Sequence, residues 1–280
     1  MRLTVLVDNN TLVDRYFRAE PAVSFCIEDR ATRVLLDVGY SELFVRNAAK
    51  LGIDLFDLDH IVLSHGHLDH SWGLGPLVRL YTEAGFEGRV CPRPKLVAHP
   101  DIFVSKTFAE LPEIGAMVEA GKLDRHFDLN LSTAPVWLTD RLVFLGEIER
   151  RFEFEDAGPL GHILPETGAT PDYLRDDSGL AYCSDTGLVV MVGCAHTGIC
   201  NIVEHARAVC NESRVRDIVG GLHLLDPAQE QLQKTADYLR AFKLESLHAC
   251  HCTSLKSKIF LANSAPLREV GVGLRIEYGN

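Results

Sequence analysis

Long apolar runs are absent. No stretch of 18 consecutive apolar residues occurs in the 280-residue chain, so no segment reads as a membrane span. The start, MRLTVLVDNNTLVDRY, carries Asp8 inside its apolar stretch and no small-residue cleavage site, which argues against a secretory signal. Blocks of Lys and Arg are absent too. The 28 Lys and Arg are outnumbered by 39 Asp and Glu, a formal net charge of -11, which disfavours nucleic acid as a partner. The eight cysteines (Cys26, Cys91, Cys183, Cys194, Cys200, Cys210, Cys250 and Cys252) form no C-x-x-C pair. Reduced thiols in a cytoplasm are the expectation, most of them acting as small buried hydrophobes. Repeats and low-complexity segments are also missing. What remains, 46% apolar and 24% charged, is the balance of an ordinary globular protein, expected as one domain over 1–280.

The N-terminal third reads as the strands LTVLVD, VSFCIE and RVLLDVG. Ser41 then caps a helix whose apolar residues Leu43, Phe44, Ala48 and Leu51 recur at helical spacing, and Gly52 ends it. A short apolar strand runs into HGHLDH, and a helix is predicted over 74–84. Residues 85–135 read as an irregular insertion on the main fold, or a cover over a site, with a strand at Lys95–Ala98 and a short helix in LPEIGAMVEAG. Residues 150–178 read as a long functional loop. The last hundred residues alternate strand and helix, opening with a hairpin around Thr186-Gly187.

The sharpest chemical signal is Ser64-His65-Gly66-His67-Leu68-Asp69-His70, three histidines and an aspartate directly after Ile61-Val62-Leu63. Imidazole is the commonest protein ligand for transition metals, and a carboxylate adds a harder donor. Three cationic histidines this close would repel one another, whereas neutral histidines around a divalent cation would not. In a turn after a strand, with Gly66 supplying freedom, His65 and His67 can converge on one metal while Asp69 and His70 face a second position.

H-x-H-x-D-H after a strand, followed by Gly73-Leu74, resembles the signature of the metallo-β-lactamase-fold superfamily. The resemblance implies a four-layer αββα sandwich with metals at one edge of its two sheets. Asp37, ending VLLDVG, matches the aspartate that orients the metal loop. His196, in VGCAHTG, stands where the superfamily usually places a bridging aspartate. His251, in Cys250-His251-Cys252-Thr253, matches the late metal-binding histidine. VGCAHTGICNIVEHA, IVGGLHL and ACHCTS, in that order, are similar to a subfamily named for 7,8-dihydropterin-6-ylmethyl-4-(β-D-ribofuranosyl)aminobenzene 5′-phosphate synthase. Three departures stand out. The superfamily's third histidine has no counterpart after a mid-chain strand, where LVFLGEIER offers Glu147, as a ligand or with water in its place. The subfamily's Pro-Arg reads Glu149-Arg150, and its HCTG ends in Ser254.

The metal set expected is therefore His65, His67, Asp69, His70, His196, His251 and Glu147, holding two divalent ions, zinc first, with manganese or iron as alternatives. Asp69 and His223 are the expected catalytic groups, Asp69 to orient water and pass a proton, His223 to contact substrate. Cys194 can bind zinc or iron as a thiolate, but the reading favours a buried inert cysteine. Of Cys250 and Cys252, one at most can face the metal. Arg150, Lys256 and Lys258 are candidates for holding an anion, and so are the N–H groups opening the helix ICNIVEHA. The function expected is an enzyme acting on a small anionic, phosphorylated metabolite, with a dihydropterin-aminobenzene-phosphate synthase-like reaction implied by the subfamily. The alternatives are a phosphodiesterase, nuclease or thioester hydrolase of the same fold, and an iron-binding redox or metal-sensing protein using Cys194, Cys250 or Cys252.

Overall fold

The computed structural model describes residues 1–156, 158–165 and 168–279. Ala157, Glu166 and Thr167, within the expected 150–178 loop, and Asn280 lie outside the described residues. The chain opens with β1 (Arg2–Val7), β2 (Ser24–Asp29) and β3 (Thr32–Leu36), segments rich in Val, Leu and Ile that suit a pleated, buried surface. α1 (Leu43–Leu51) follows. Ser41 Oγ accepts the Leu43 N–H at 3.2 Å, and Gly52 closes the helix at φ 73°. β4 (His60–Val62) leads into the histidine loop, then α2 (Leu68–Ser71) and α3 (Leu74–Phe86).

The middle of the chain contributes β5 (Lys95–Ala98), β6 (Lys106–Thr107), α4 (Ala120–Leu123), β7 (Asp128–Leu131), β8 (Val136–Trp137), β9 (Leu142–Phe144), β10 (His162–Ile163) and β11 (Thr170–Pro171). The C-terminal part contributes β12 (Gly179–Ser184), β13 (Gly187–Val192), α5 (Ile199–Cys210), β14 (Val215–Gly221), α6 (Gln229–Phe242), β15 (Ser246–Cys250), α7 (Leu255–Leu261) and β16 (Arg275–Glu277). No helix among the described residues is long and apolar enough to cross a membrane.

Two large sheets form, ordered β16-β1-β2-β3-β4-β5-β7 and β15-β14-β13-β12-β9-β8. Their side chains alternate as a pleat requires. Leu3, Val5, Phe25 and Ile27 of the first sheet meet Leu180, Tyr182, Val189 and Met191 of the second in a shared interior core. The opposite face of the first sheet, with Cys26, Leu35 and Ile61, packs on Phe44 and Ala48 of α1 and Leu74 and Leu77 of α3. The opposite face of the second, with Ala181 and Val190, packs on Ile202 and Val203 of α5 and Leu232 and Ala236 of α6. The layers are helix, sheet, sheet, helix, as the resemblance implies.

Residues 85–135 are not wholly an insertion. β5 and β7 pair in parallel and extend the first sheet. Only the segment between them leaves the sheet, and there β6 joins β10 and β11 in a small third sheet. The helix expected in LPEIGAMVEAG shrinks to Ala120–Leu123. Pro112, Gly115 and Gly121 lower helix propensity along it.

Strand direction sets where the chemistry falls. β3, β4, β5 and β7 run parallel, and so do β13, β14 and β15. Loops leaving their C-terminal ends converge at one edge, the usual position of sites in sheets with parallel strands.

Candidate metal centre

Each candidate donor follows the end of a strand. Asp37 follows β3, the loop 64–70 follows β4, and His196, His223 and His251 follow β13, β14 and β15. Asp37 anchors the first loop. Its Oδ1 accepts the Ser64 N–H and its Oδ2 the Ser64 hydroxyl, both at 2.7 Å, and Oδ2 lies 2.7 Å from His70 Nδ1. Asp176 anchors the same loop by accepting the Gly66 N–H at 2.8 Å. Gly66 is required for closeness rather than turn freedom, because a Cβ there would stand 2.5 Å from the Ile102 carbonyl oxygen. Gly193 has the same role across the sheets, where a Cβ would overlap the Ser64 hydroxyl.

The second sheet supplies donors at a cost in backbone strain. Ala195, His223 and His251 adopt φ of 57°, 48° and 48°, and Asp37 opposite them adopts 57°. Such conformations cost non-glycine residues about 1 kcal/mol or more each and persist where surrounding contacts enforce them. For His251 the contacts come from the N-terminal strand. Its N–H donates to Asp8 Oδ1 at 3.0 Å, and its Nδ1 lies 2.9 Å from Asn9 Oδ1.

The side chains meet in a tight group. His65 Nε2 lies 3.1 Å from His67 Nδ1, and the His196 ring centroid is 4.8 Å from those of both. Asp69 Oδ2 lies 3.2 Å from His251 Nε2 and 3.7 Å from His70 Nε2. His223 packs on His196 at 4.1 Å between centroids. Cys194 Sγ lies 3.2 Å from His70 Nε2. His65, His70 and Cys194 are buried, and His196 and Asp69 are partly open.

Burial and mutual proximity set the electrostatics of this group. Burial pushes His65 and His196 well below the ordinary imidazole value, neighbouring histidines push them further, and burial takes His67 down to about 4. Burial opposes the charged form of His70, but Asp69 and Asp37 outweigh it and raise His70 to about 9. Burial opposes ionised Asp69, but His70 and His251 hold it well below the usual carboxylate range. Burial lowers His223, yet the Cys252 sulfur beside it turns the balance upward. Burial pushes the Cys194 thiol well up.

His67 Nε2, His196 Nε2 and His223 Nδ1 are buried without a hydrogen-bond partner. Each such atom costs about 1–3 kcal/mol if left unpaired. A divalent ion removes that cost for neutral imidazoles, so the residues fit the group that the resemblance implies. Donor atoms within 4.8 Å of one another form three sets: Asp69, His70, Cys194 and His251; His65, Cys194 and His196; Cys194, His223 and Cys252.

Glu147 is not part of this group. Its carboxylate pairs with Arg175 Nε at 3.1 Å and lies 3.4 Å from His99 Nε2. The Arg175 bond holds it below the usual carboxylate range. The expectation that it replaces a missing histidine is therefore corrected, because His196 itself stands beside His65 and His67. The helix-start expectation also fails. Glu155 occupies the opening turn of α5, accepting the Cys200 and Asn201 N–H groups at 2.9 and 2.8 Å. Of the cysteines flanking His251, Cys252 joins the site and Cys250 faces the inter-sheet core.

A pocket of about 560 Å³ opens onto these donors, large enough for a small molecule. His67, Asp69, Cys194, His196, His223, His251 and Cys252 line its floor, and Pro21, Phe108, Leu111, Ile114, Leu160 and Leu225 its walls. Among the described residues, no Lys or Arg lines it. Arg150 instead donates to the Tyr173 carbonyl, Lys256 lies beside Asp226, and Lys258 lines a separate hollow. Four of these wall residues, Phe108, Leu111, Ile114 and Leu160, come from the 99–127 and 158–178 segments, whose apolar residues carry no periodic signal in the sequence. A buried Lys106, bonded to Asp172 and Asp176 at 2.9 and 2.8 Å, ties those two segments together.

Comparison with known proteins agrees with this architecture. A 7,8-dihydropterin-6-methyl-4-(beta-D-ribofuranosyl)-aminobenzene-5'-phosphate synthase of Methanocaldococcus jannaschii is 29% identical over 259 residues, covering 86% of this chain and 84% of the relative. An uncharacterized protein of the same organism is 28% identical over 256 residues, covering 91% of each. The crystal structure of a metal-dependent hydrolase of the beta-lactamase superfamily superposes with a TM-score of 0.83 at 25% identity, over 100% of both chains. The profile of the metallo-beta-lactamase superfamily matches residues 18–208, well over half of the sequence, and this chain belongs to that superfamily.

Proposed function

We propose that this chain is a metal-dependent enzyme acting on a small anionic, phosphorylated metabolite with a flat apolar body, in a synthase reaction like that named for its M. jannaschii relative. The observation that carries the reading is the pocket, which joins a floor of metal-type donors to an apolar wall and, among the described residues, has no lysine or arginine in its lining. Phe108, Leu111 and Leu225, 42%, 54% and 57% exposed, offer apolar surface to a ring system. An anionic group entering this pocket meets positive charge only at the floor.

His65, His67 and His196 would hold one ion, and Asp69, His70 and His251 a second. Zinc is the first choice, with manganese or iron as alternatives. Bound there, such ions supply Lewis-acid stabilisation of charge on a phosphoryl oxygen. Asp37 keeps His70 in the tautomer that leaves Nε2 free to coordinate. Asp69 stays ionised and serves as a ligand and anchor for water. His223 has an unpartnered Nδ1 and lines the pocket, so it is the group placed to accept or return a proton at the reacting atom.

A hydrolase of the same fold is the second reading, supported by the name of the structural neighbour at TM-score 0.83. A nuclease is disfavoured by the uncharged apolar walls. The deciding experiment loads the protein separately with zinc, manganese and iron(II). Each form is offered a dihydropterin bearing a 6-methyl diphosphate together with 4-(β-D-ribofuranosyl)aminobenzene 5′-phosphate. Coupled product and pyrophosphate in equal amounts support the synthase reading. Phosphate or pyrophosphate release without coupling supports the hydrolase. Inertness of every loaded form toward this pair and toward generic phosphodiesters refutes both.

A further inference from the structure

The three donor sets of the centre have one atom in common, and two of them carry the histidine-loop residues. Cys194 Sγ lies within 4.8 Å of His65 and His196 on one side, and of Asp69, His70 and His251 on the other. Its residue is 4% exposed, and the Cys194 side chain lines the floor of the pocket. Among the described residues only one carboxylate, Asp69, belongs to either set, and it belongs to one of them. The position between the two sets is therefore held by sulfur rather than by oxygen.

Resting on the reading of this site as a metal centre, we propose that the Cys194 thiolate bridges two metal ions. An imidazole nitrogen has one lone pair in its plane and serves one ion, whereas a thiolate sulfur has lone pairs for two. Two ions each about 2.3 Å from one sulfur stand about 3.5–4 Å apart, which is the span of two-metal sites. A bridging thiolate makes both positions softer, favouring zinc and iron(II) over manganese and magnesium. Cys252 does not share this place. Its sulfur groups with Cys194 and His223 but with neither main set, and it accepts the His223 N–H at 3.2 Å. Cys194 is thus a ligand rather than the inert cysteine favoured from sequence.

The test counts sulfur around zinc by X-ray absorption in the wild-type chain loaded with two zinc ions. A bridge gives each ion a sulfur, an average of about one per zinc at about 2.3 Å. An average near one half, as for a terminal cysteine, or no sulfur at all overturns the proposal without any variant. Cys194→Ser should then lose the sulfur shell and weaken zinc retention by on the order of 10-fold or more, at least the loss seen when a ligand's supporting partner is removed. Cys252→Ser should keep both. Sulfur that survives Cys194→Ser and vanishes in Cys252→Ser overturns the assignment. A chain that takes two zinc ions without sulfur loses the bridge and keeps the metal-centre reading, whereas a chain that takes no metal loses both.

Discussion

Asp37→Asn changes one atom at a fully buried position and tests how the centre is held. Asp37 accepts three hydrogen bonds, from the Ser64 N–H, the Ser64 hydroxyl and the His70 ring, each at 2.7 Å. An asparagine has one acceptor oxygen and one NH2 to place in the same space. With its oxygen toward His70, the NH2 faces the Ser64 N–H, donor against donor. With its oxygen toward Ser64 N, the NH2 faces His70 Nδ1 and forces the proton onto Nε2, where it blocks coordination. Either way one charge-assisted bond is lost, about 1.5–3 kcal/mol, approaching the 3–5 kcal/mol of a broken buried pair. The second orientation also costs metal affinity, about 10–100-fold for removal of a ligand's carboxylate partner, or roughly 1.4–2.8 kcal/mol. Urea unfolding of the metal-free protein reads the first effect, and competition for zinc against a chelator reads the second. An Asp37→Asn variant that unfolds at the wild-type midpoint and holds zinc within about 3-fold of wild type would refute the anchoring argument.

The metal-free protein should be most stable near pH 6.5. His67 titrates near 4 when folded and near 6.5 when unfolded, so its share, about 3 kcal/mol, is present above 6.5 and lost as pH falls toward 4. His65 and His196 act in the same direction, while His70, raised to about 9, gives a share present below 6.5 and lost as pH rises through 9. A urea midpoint that climbs steadily from pH 5 to 9 would contradict these assignments. Lys106→Met leaves Asp172 and Asp176 as unpaired buried carboxylates, and should lower unfolding free energy by about 3–5 kcal/mol in denaturant titration; a change below about 1 kcal/mol would show that the group is not cooperative. Glu147→Gln should leave metal content by elemental analysis unchanged, because its partners are Arg175 and His99, and loss of an ion would restore it to the ligand set. Leu225→Ala should raise KM more than it lowers kcat for a substrate with a ring body, and an effect confined to kcat would remove the apolar wall from recognition.

Patterns set by neighbours along the chain were legible in the sequence. The helix ICNIVEHARAVC occupies Ile199–Cys210, and the hairpin strands β12 and β13 flank Asp185-Thr186. Periodicity and turn chemistry decide such elements within a few residues, and a histidine-rich turn after a strand needs no distant partner to be recognised. The resemblance of these motifs then implied the four layers. Tertiary structure decided what joins across the sheets. His70 meets Cys194 124 residues away, Gly66 meets Asp176 at 110, and the loop of His251 is pinned by Asp8 at 243. No local signal distinguishes Glu147, turned toward Arg175, from His196, turned toward His65, because a strand end gives a position and not a partner. The apolar pocket wall and the Glu155 plug at α5 were hidden for the same reason, since they arise from irregular segments whose placement depends on the buried Lys106 group and on the sheets they cover. The sequence by itself determined which residue types stand at the strand ends, whereas the meeting of two parallel-stranded edges determined which of them come together.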